Sequence, residues 1–213
     1  MVKHLLKELF YETCSRYCQD SGIVERCWND VVNRYSEQHR AYHNLQHLAA
    51  VWEQLQPVWE QLQQPNGILF ALFYHDYRYD VLRNDNEAAS ALAATEALAQ
   101  LQLSPQVQAF CRACILATKE HHATGYPDID LFTDADLSIL GAPQQVYLTY
   151  ATAIRQEYGI YPDDVYRQGR LKVLEHFLSM PAVFKTGYFT GALEAAARHN
   201  LQQEKILLQQ QLQ

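Results

Sequence analysis

Three groupings in this sequence could do chemistry together: His43 and His47, four residues apart; the adjacent pair His75-Asp76; and Asp134 and Asp136 around a single alanine. Imidazoles combined with carboxylates suit a hard or borderline divalent cation such as Mn, Fe, Co, Ni, Zn or Mg. The His75-Asp76 pair is the most telling because of what precedes it. Ile68-Leu69-Phe70-Ala71-Leu72-Phe73-Tyr74 is a run of seven apolar or aromatic residues that reads as a buried segment. An unpartnered polar group left in such a place costs roughly 2–7 kcal/mol, and an unpaired charge far more. Either a hydrogen-bonded partner or a metal ion that takes both side chains as ligands meets that need. On a helix, the spacing of His43 and His47 puts both imidazoles on one face, within reach of the same ligand or substrate. Two surface histidines would show the same spacing.

The elements that must position these groups read as helices. Leu5, Leu6, Leu9, Phe10 and Cys14 follow an i, i+3, i+4 rhythm from Lys3 to about Asp20, Ser21-Gly22 breaks it, and Val24, Cys27, Trp28, Val31, Val32 and Tyr35 resume it. The polar, histidine-dense stretch Glu37–His47 leads into a helical pattern over Leu48–Leu62, where Pro57 predicts a kink or a break. Pro65-Asn66-Gly67 signals a turn, and Tyr77-Arg78-Tyr79-Asp80 a loop. Further helices are expected up to Leu101, from Ser104-Pro105 to about His121, over Asp128–Leu140, Pro143–Tyr158 and Pro162–Leu178, and from about Phe189 through Leu208. No long alternating pattern, repeat or linker interrupts them, so the expectation is all-α, a single domain over 1–213 with its core at about 3–208. The closing Gln209-Gln210-Gln211-Leu212-Gln213 is expected to fray.

Composition excludes several function classes. A net charge of −7 with no basic run disfavours stable nucleic-acid or anionic-membrane binding. No apolar stretch approaches the ~20 residues that span a bilayer. Charged residues interrupt the first ten positions where a signal peptide needs an apolar region, which points to a cytoplasmic protein. Five cysteines, an odd count, argue against a disulfide framework. Cys111 and Cys114 form a CxxC inside a helical pattern with no second CxxC to complete a zinc site, so they read as core thiols.

His47, then His75-Asp76, then an aspartate before a leucine on a late helix resembles the H…HD…D signature of the HD superfamily of metal-dependent phosphohydrolases. Tyr42-His43-Asn44-Leu45-Gln46-His47 is similar to the YHNxxH motif of the cyclic-nucleotide phosphodiesterases in that superfamily. A bacterial family of predicted HD phosphohydrolases is closer. That resemblance extends through Asn86–Ala91, Ala117-Thr118-Lys119, Asp134–Gly141, Ile154–Tyr158 and Ala197–Leu201, nearly the whole chain. It implies an HD-type helical bundle with His47, His75, Asp76 and Asp136 as ligands of a divalent metal, and the absence of further histidines directly after Asp76 favours one ion per chain. The family's aspartate precedes a Leu-small-apolar run, hence Asp136, leaving Asp134 as a helix N-terminal residue that favours the backbone dipole. His43 matches the phosphodiesterase proton donor. Asp76 would also orient a metal-activated water.

The implied substrate is a small phosphorylated metabolite or nucleotide. Arg40 and Lys119 are candidates to stabilise developing negative charge, or ordinary surface cations. Glu87 either assists water or closes an Asn84-x-x-Glu87 capping box. His121-His122 either contacts a second ion or substrate, or is a polar helix end. The phosphodiesterases continue after HD with further histidines, where this chain has Tyr77-Arg78-Tyr79-Asp80. An HD-type di-iron oxygenase and a non-catalytic nucleotide- or metal-binding module are the alternatives.

Overall fold

A computed structural model describes residues 1–210. Among them the chain is all-α, with ten α-helices, two short 3₁₀ segments and no strand. Its contacts gather into two compact units, Met1–Thr133 and a second from Asp134 onward. The first holds α1 (Val2–Ser15), α2 (Ser21–Tyr35), α3 (Leu45–Leu55), a 3₁₀ segment at Gln56–Gln61, α4 (Pro65–Tyr74), α5 (Asn86–Gln100) and α6 (Pro105–Ala117). The division falls inside α7 (Pro127–Leu137) rather than in a loop. The second unit continues with a 3₁₀ segment at Ser138–Gly141, α8 (Gln144–Glu157), α9 (Asp163–Ser179) and α10 (Gly187–Gln210).

The apolar stretch behaves as its composition demands. Every residue of α4 from Gly67 to Tyr74 is buried, and α4 packs against α1, α3, α5 and α6. Phe73 meets Phe10 edge-on at 5.0 Å between ring centroids, and Trp28 closes the same aromatic cluster at 5.7 Å from Phe10. Pro57 ends α3 as expected, and the chain continues as a 3₁₀ turn with Pro57 in its first positions.

Helix starts account for most departures from expectation. Ser21-Gly22 is not a break: Asp20 caps α2, its carboxylate accepting the Gly22 and Ile23 amides at 2.8 and 3.1 Å, so both residues form the first turn. Pro65-Asn66-Gly67 is not a separate turn but the first turn of α4, with proline where its missing N–H costs nothing. The side chain of Gln64, the residue before α4, forms no cap. Instead Asp128 on α7 anchors the two residues that lead into the helix, accepting the Gln63 amide at 2.9 Å and the Gln64 amide at 2.7 Å. The Asn84–Glu87 capping box does not form. α5 begins at Asn86 after Asp85 with no side-chain cap, and Asn86 instead exchanges two hydrogen bonds with the Asp80 backbone. α6 ends at Ala117 rather than near His121.

In the second unit α10 packs on α9 and on the 3₁₀ segment. There Gly141 lets the backbone of Leu193 approach so closely that a Cβ at 141 would lie 2.6 Å from the Leu193 Cβ. Arg170 and Glu204 form a buried ion pair at 2.8 Å that also receives the Tyr147 hydroxyl. α10 is helical through Gln210, and the rest of the glutamine-rich tail lies outside the described residues. Among the described residues no helix is long and apolar enough to cross a membrane.

Candidate metal centre

α3 and the end of α4 bring three donor atoms together. His47, on α3 and buried, sets its Nε2 3.0 Å from the Nε2 of His75, which is also buried. Oδ2 of Asp76 lies 3.0 Å from the His75 Nε2 and 3.5 Å from the His47 Nε2. His75 is the residue that closes α4, with its amide still bonded to Ala71 at 2.8 Å, so its ring is delivered by the last hydrogen bond of a helix buried from Gly67 onward.

The hydrogen bonds around His75 decide what its inner nitrogen can do. Its Nδ1 lies 3.0 Å from the Leu72 carbonyl oxygen, which can only accept, so the Nδ1 carries the hydrogen. In the neutral ring Nε2 then presents a lone pair toward a carboxylate oxygen that also can only accept. Two such groups 3.0 Å apart repel unless a cation, either a proton or a metal ion, sits with them. A histidine whose outer N–H is held by a carbonyl is the usual arrangement behind a metal ligand. The donor set, two imidazoles and a carboxylate, fits a borderline divalent ion. Burial alone would push the Asp76 carboxyl up. The charges of His75 and His43 and hydrogen bonds from His47 and His75 outweigh it and hold the carboxyl well below the ordinary range. About a fifth of the Asp76 side chain stays exposed, 21%, so the cluster is open on one side.

His43 sits in the turn before α3, not on the helix with His47, because Asn44 caps α3 by accepting the Gln46 amide at 2.8 Å. The rings nevertheless come together, with centroids 5.7 Å apart. Tyr79 stacks on His43 at 4.2 Å, and Tyr42 lies against both histidines, at 5.0 Å from His43 and 4.9 Å from His47. Arg40 is not a surface cation. Its side chain is fully buried and donates to Glu37 at 3.0 Å and to the backbone oxygens of His43, Asp76 and Tyr77 at 3.3, 2.6 and 3.1 Å.

Lys119 is held on the surface by the Asn84 carbonyl at 2.9 Å. Glu87 lies half-buried in the first turn of α5 and caps nothing. Asp134 is not a helix N-terminal residue. Fully buried late in α7, it accepts the Lys185 and Thr186 amides at 3.0 and 2.8 Å and pairs with the Lys185 ammonium at 2.8 Å, so the helix start that it serves is that of α10. Asp136 is half-buried on α7, one turn beyond Phe132 and on the same helix face. Phe132 itself packs edge-on to His75 at 5.8 Å. His121 turns the chain in the left-handed region at φ 51°, three residues past Thr118, and His122 is exposed. Cys111 and Cys114 are free, fully buried thiols in the core.

Tyr35, Tyr79, Phe132 and Asp128 support the site and were not singled out from sequence. Tyr35 fits the apolar face of α2 and reads as core, and Asp128 beside Pro127 reads as the start of its own helix. Only the crowding of aromatics around His43 and after Asp76 could have flagged Tyr79. No family model, curated protein or solved structure matches the chain.

Proposed function

We propose that this protein is a metal-dependent phosphohydrolase of the HD type, with His47, His75, Asp76 and Asp136 holding one divalent ion. The supporting observation is the convergence of the His47 and His75 Nε2 atoms and an Asp76 oxygen within 3.5 Å, an arrangement that needs a cation. Asp136 joins the ligand set from the sequence resemblance. A bound divalent cation supplies hydroxide at neutral pH from a coordinated water and polarises a phosphoryl oxygen.

The chain's own groups do the rest. His43, stacked on Tyr79 at the edge of the cluster, gives its proton to the leaving oxygen. Asp76 orients the attacking water from the exposed side of its carboxylate. Glu87 is a carboxylate free of a capping duty that can act on the same water. Arg40, with its donors committed to the protein, contributes by holding backbone and not by contacting phosphate. The substrate is a small phosphorylated metabolite or nucleotide, and the setting a cytoplasmic one.

The test is metal content of the purified protein and of Asp76→Ala, followed by phosphate release from p-nitrophenyl phosphate and a nucleotide panel with Mn, Co, Ni, Zn and Mg. One ion per chain, lost in the variant together with phosphate release, is the expected outcome. Unchanged turnover in Asp76→Ala would refute the proposal. Two irons with oxygen uptake would favour an HD-type oxygenase instead, and nucleotide bound but returned intact would favour a binding module.

A further inference from the structure

Asp76 stands one residue beyond the last helical hydrogen bond of α4, where the ladder no longer fixes the backbone. Its peptide groups are held from outside instead. The Asp76 N–H donates to the Tyr35 hydroxyl at 3.2 Å, and the Asp76 carbonyl accepts Arg40 Nη1 at 2.6 Å. The next carbonyl, that of Tyr77, accepts Nη2 at 3.1 Å. The same guanidinium lies over the Tyr35 ring at 5.1 Å and the Tyr79 ring at 5.5 Å, and reaches the His43 carbonyl at 3.3 Å.

A guanidinium with no exposed surface touches neither solvent nor a solute, and its desolvation is offset only by meeting its donors. Here it meets most of them with main-chain oxygens of the residues that carry the chemistry. Glu37, 28% exposed, balances its charge through Nε. A lysine ammonium, a point charge without the planar fork, cannot span the same carbonyls.

We infer that Arg40 and Tyr35 are positioning residues for Asp76, fixing its carboxylate through the two sides of its backbone, with Arg40 setting the His43 turn by the same fork. The inference rests on the reading of Asp76 as a metal ligand. It is more than a fold strap because both residues act on the one segment where α4 hands over to the site. Outer-sphere partners of this kind typically change metal affinity by about 10–100-fold when removed.

The experiment measures Mn2+ affinity by calorimetry, the visible spectrum of the Co2+-loaded protein and the thermal midpoint, for the wild type, Asp76→Ala, Tyr35→Phe, Arg40→Lys and Arg40→Met. Tyr35→Phe removes one hydroxyl, keeps the ring under Arg40, and is the decisive variant if the arginine variants fail to fold. The expected result is a loss of about 10-fold in Mn2+ affinity for Tyr35→Phe and toward 100-fold for Arg40→Lys, with shifted Co2+ bands. Affinity within twofold of wild type in Tyr35→Phe, whatever its thermal midpoint, would show the strap to be structural only and overturn the inference while leaving the metal site standing. A wild type that takes up neither Mn2+ nor Co2+ would remove the ligand reading of Asp76 and the inference with it.

Discussion

The sharpest stability prediction concerns Asp128, because a single carboxylate from α7 anchors the entry to the helix that ends in His75. It is 5% exposed, and it accepts the Gln63 amide at 3.1 and 2.9 Å and the Gln64 amide at 2.7 Å. Asp128→Ala removes a charged acceptor from two backbone donors. A hydrogen bond to a charged group contributes about 1.5–3 kcal/mol, and two donors lose one here. Both glutamines are exposed, so water reaches the orphaned amides and the lower end of that range applies to each. The expected loss is therefore about 3 kcal/mol, or a fall in melting temperature of about 6–12 °C for a chain of this length. Asp128→Asn keeps one acceptor oxygen and should lose about half as much, since its bonds are no longer charge-assisted. Urea denaturation followed by circular dichroism reads both. A loss below about 0.5 kcal/mol for Asp128→Ala would refute the claim that α7 anchors the entry to α4.

Other perturbations test the remaining interior. Burial, reinforced by the neighbouring Cys27 and Cys18, pushes the Cys14 thiol from 9.0 up to about 12. The native protein should thus resist iodoacetamide at pH 8, with all five cysteines reacting once it is unfolded. Because the folded thiol keeps its proton where the unfolded one releases it, stability should also fall from about pH 9 upward, and a flat stability profile between pH 8 and 10.5 would contradict it. Glu204→Ala strands the Arg170 guanidinium, whose side chain is 7% exposed, and should cost about 3–5 kcal/mol in denaturant titrations. The double variant Arg170→Met/Glu204→Leu should recover most of that loss, because it leaves no buried charge behind. Gly141→Ala should destabilise the second unit by at least about 1–3 kcal/mol, since the new Cβ meets Leu193 backbone atoms at 2.9 and 3.2 Å that have no rotamer to yield. A melting temperature equal to wild type would show that the 3₁₀ segment and α10 separate easily.

Helix class and the main elements were legible in the sequence because α1, α2 and α4 declare themselves through local pattern: apolar spacing in the first two, unbroken apolarity in the third. What was not legible came from partners distant in the chain. Ser21-Gly22 and Pro65-Asn66-Gly67 carry residues that punctuate as readily as they start helices, and only the carboxylates of Asp20 and Asp128 decide between the two uses. His43, His47, His75 and Asp76 could be picked out by type and spacing, and the structure brings these four together. The role of Arg40 could not be read, because a basic residue beside histidines looks the same whether it faces a phosphate or three carbonyl oxygens. Asp134 misled for a related reason: its bonds are to amides 51 and 52 residues away.

The total burial of α4 has a consequence for how the protein breathes. A helix with one wet face can open a turn at a time, but Ile68 through Tyr74 are at most 4% exposed and have no such face. Amide hydrogens along α4, including that of His75 bonded to Ala71, should exchange with solvent deuterium only when the first unit unfolds as a whole. The loop after Tyr77 and the turn at Gly125, by contrast, are free to exchange on short openings. His75, at the end of α4, thus belongs to the slowest part of the molecule. A ligand exchanging at the cluster would do so through motion of the surface around it, while the His75 donor stays still.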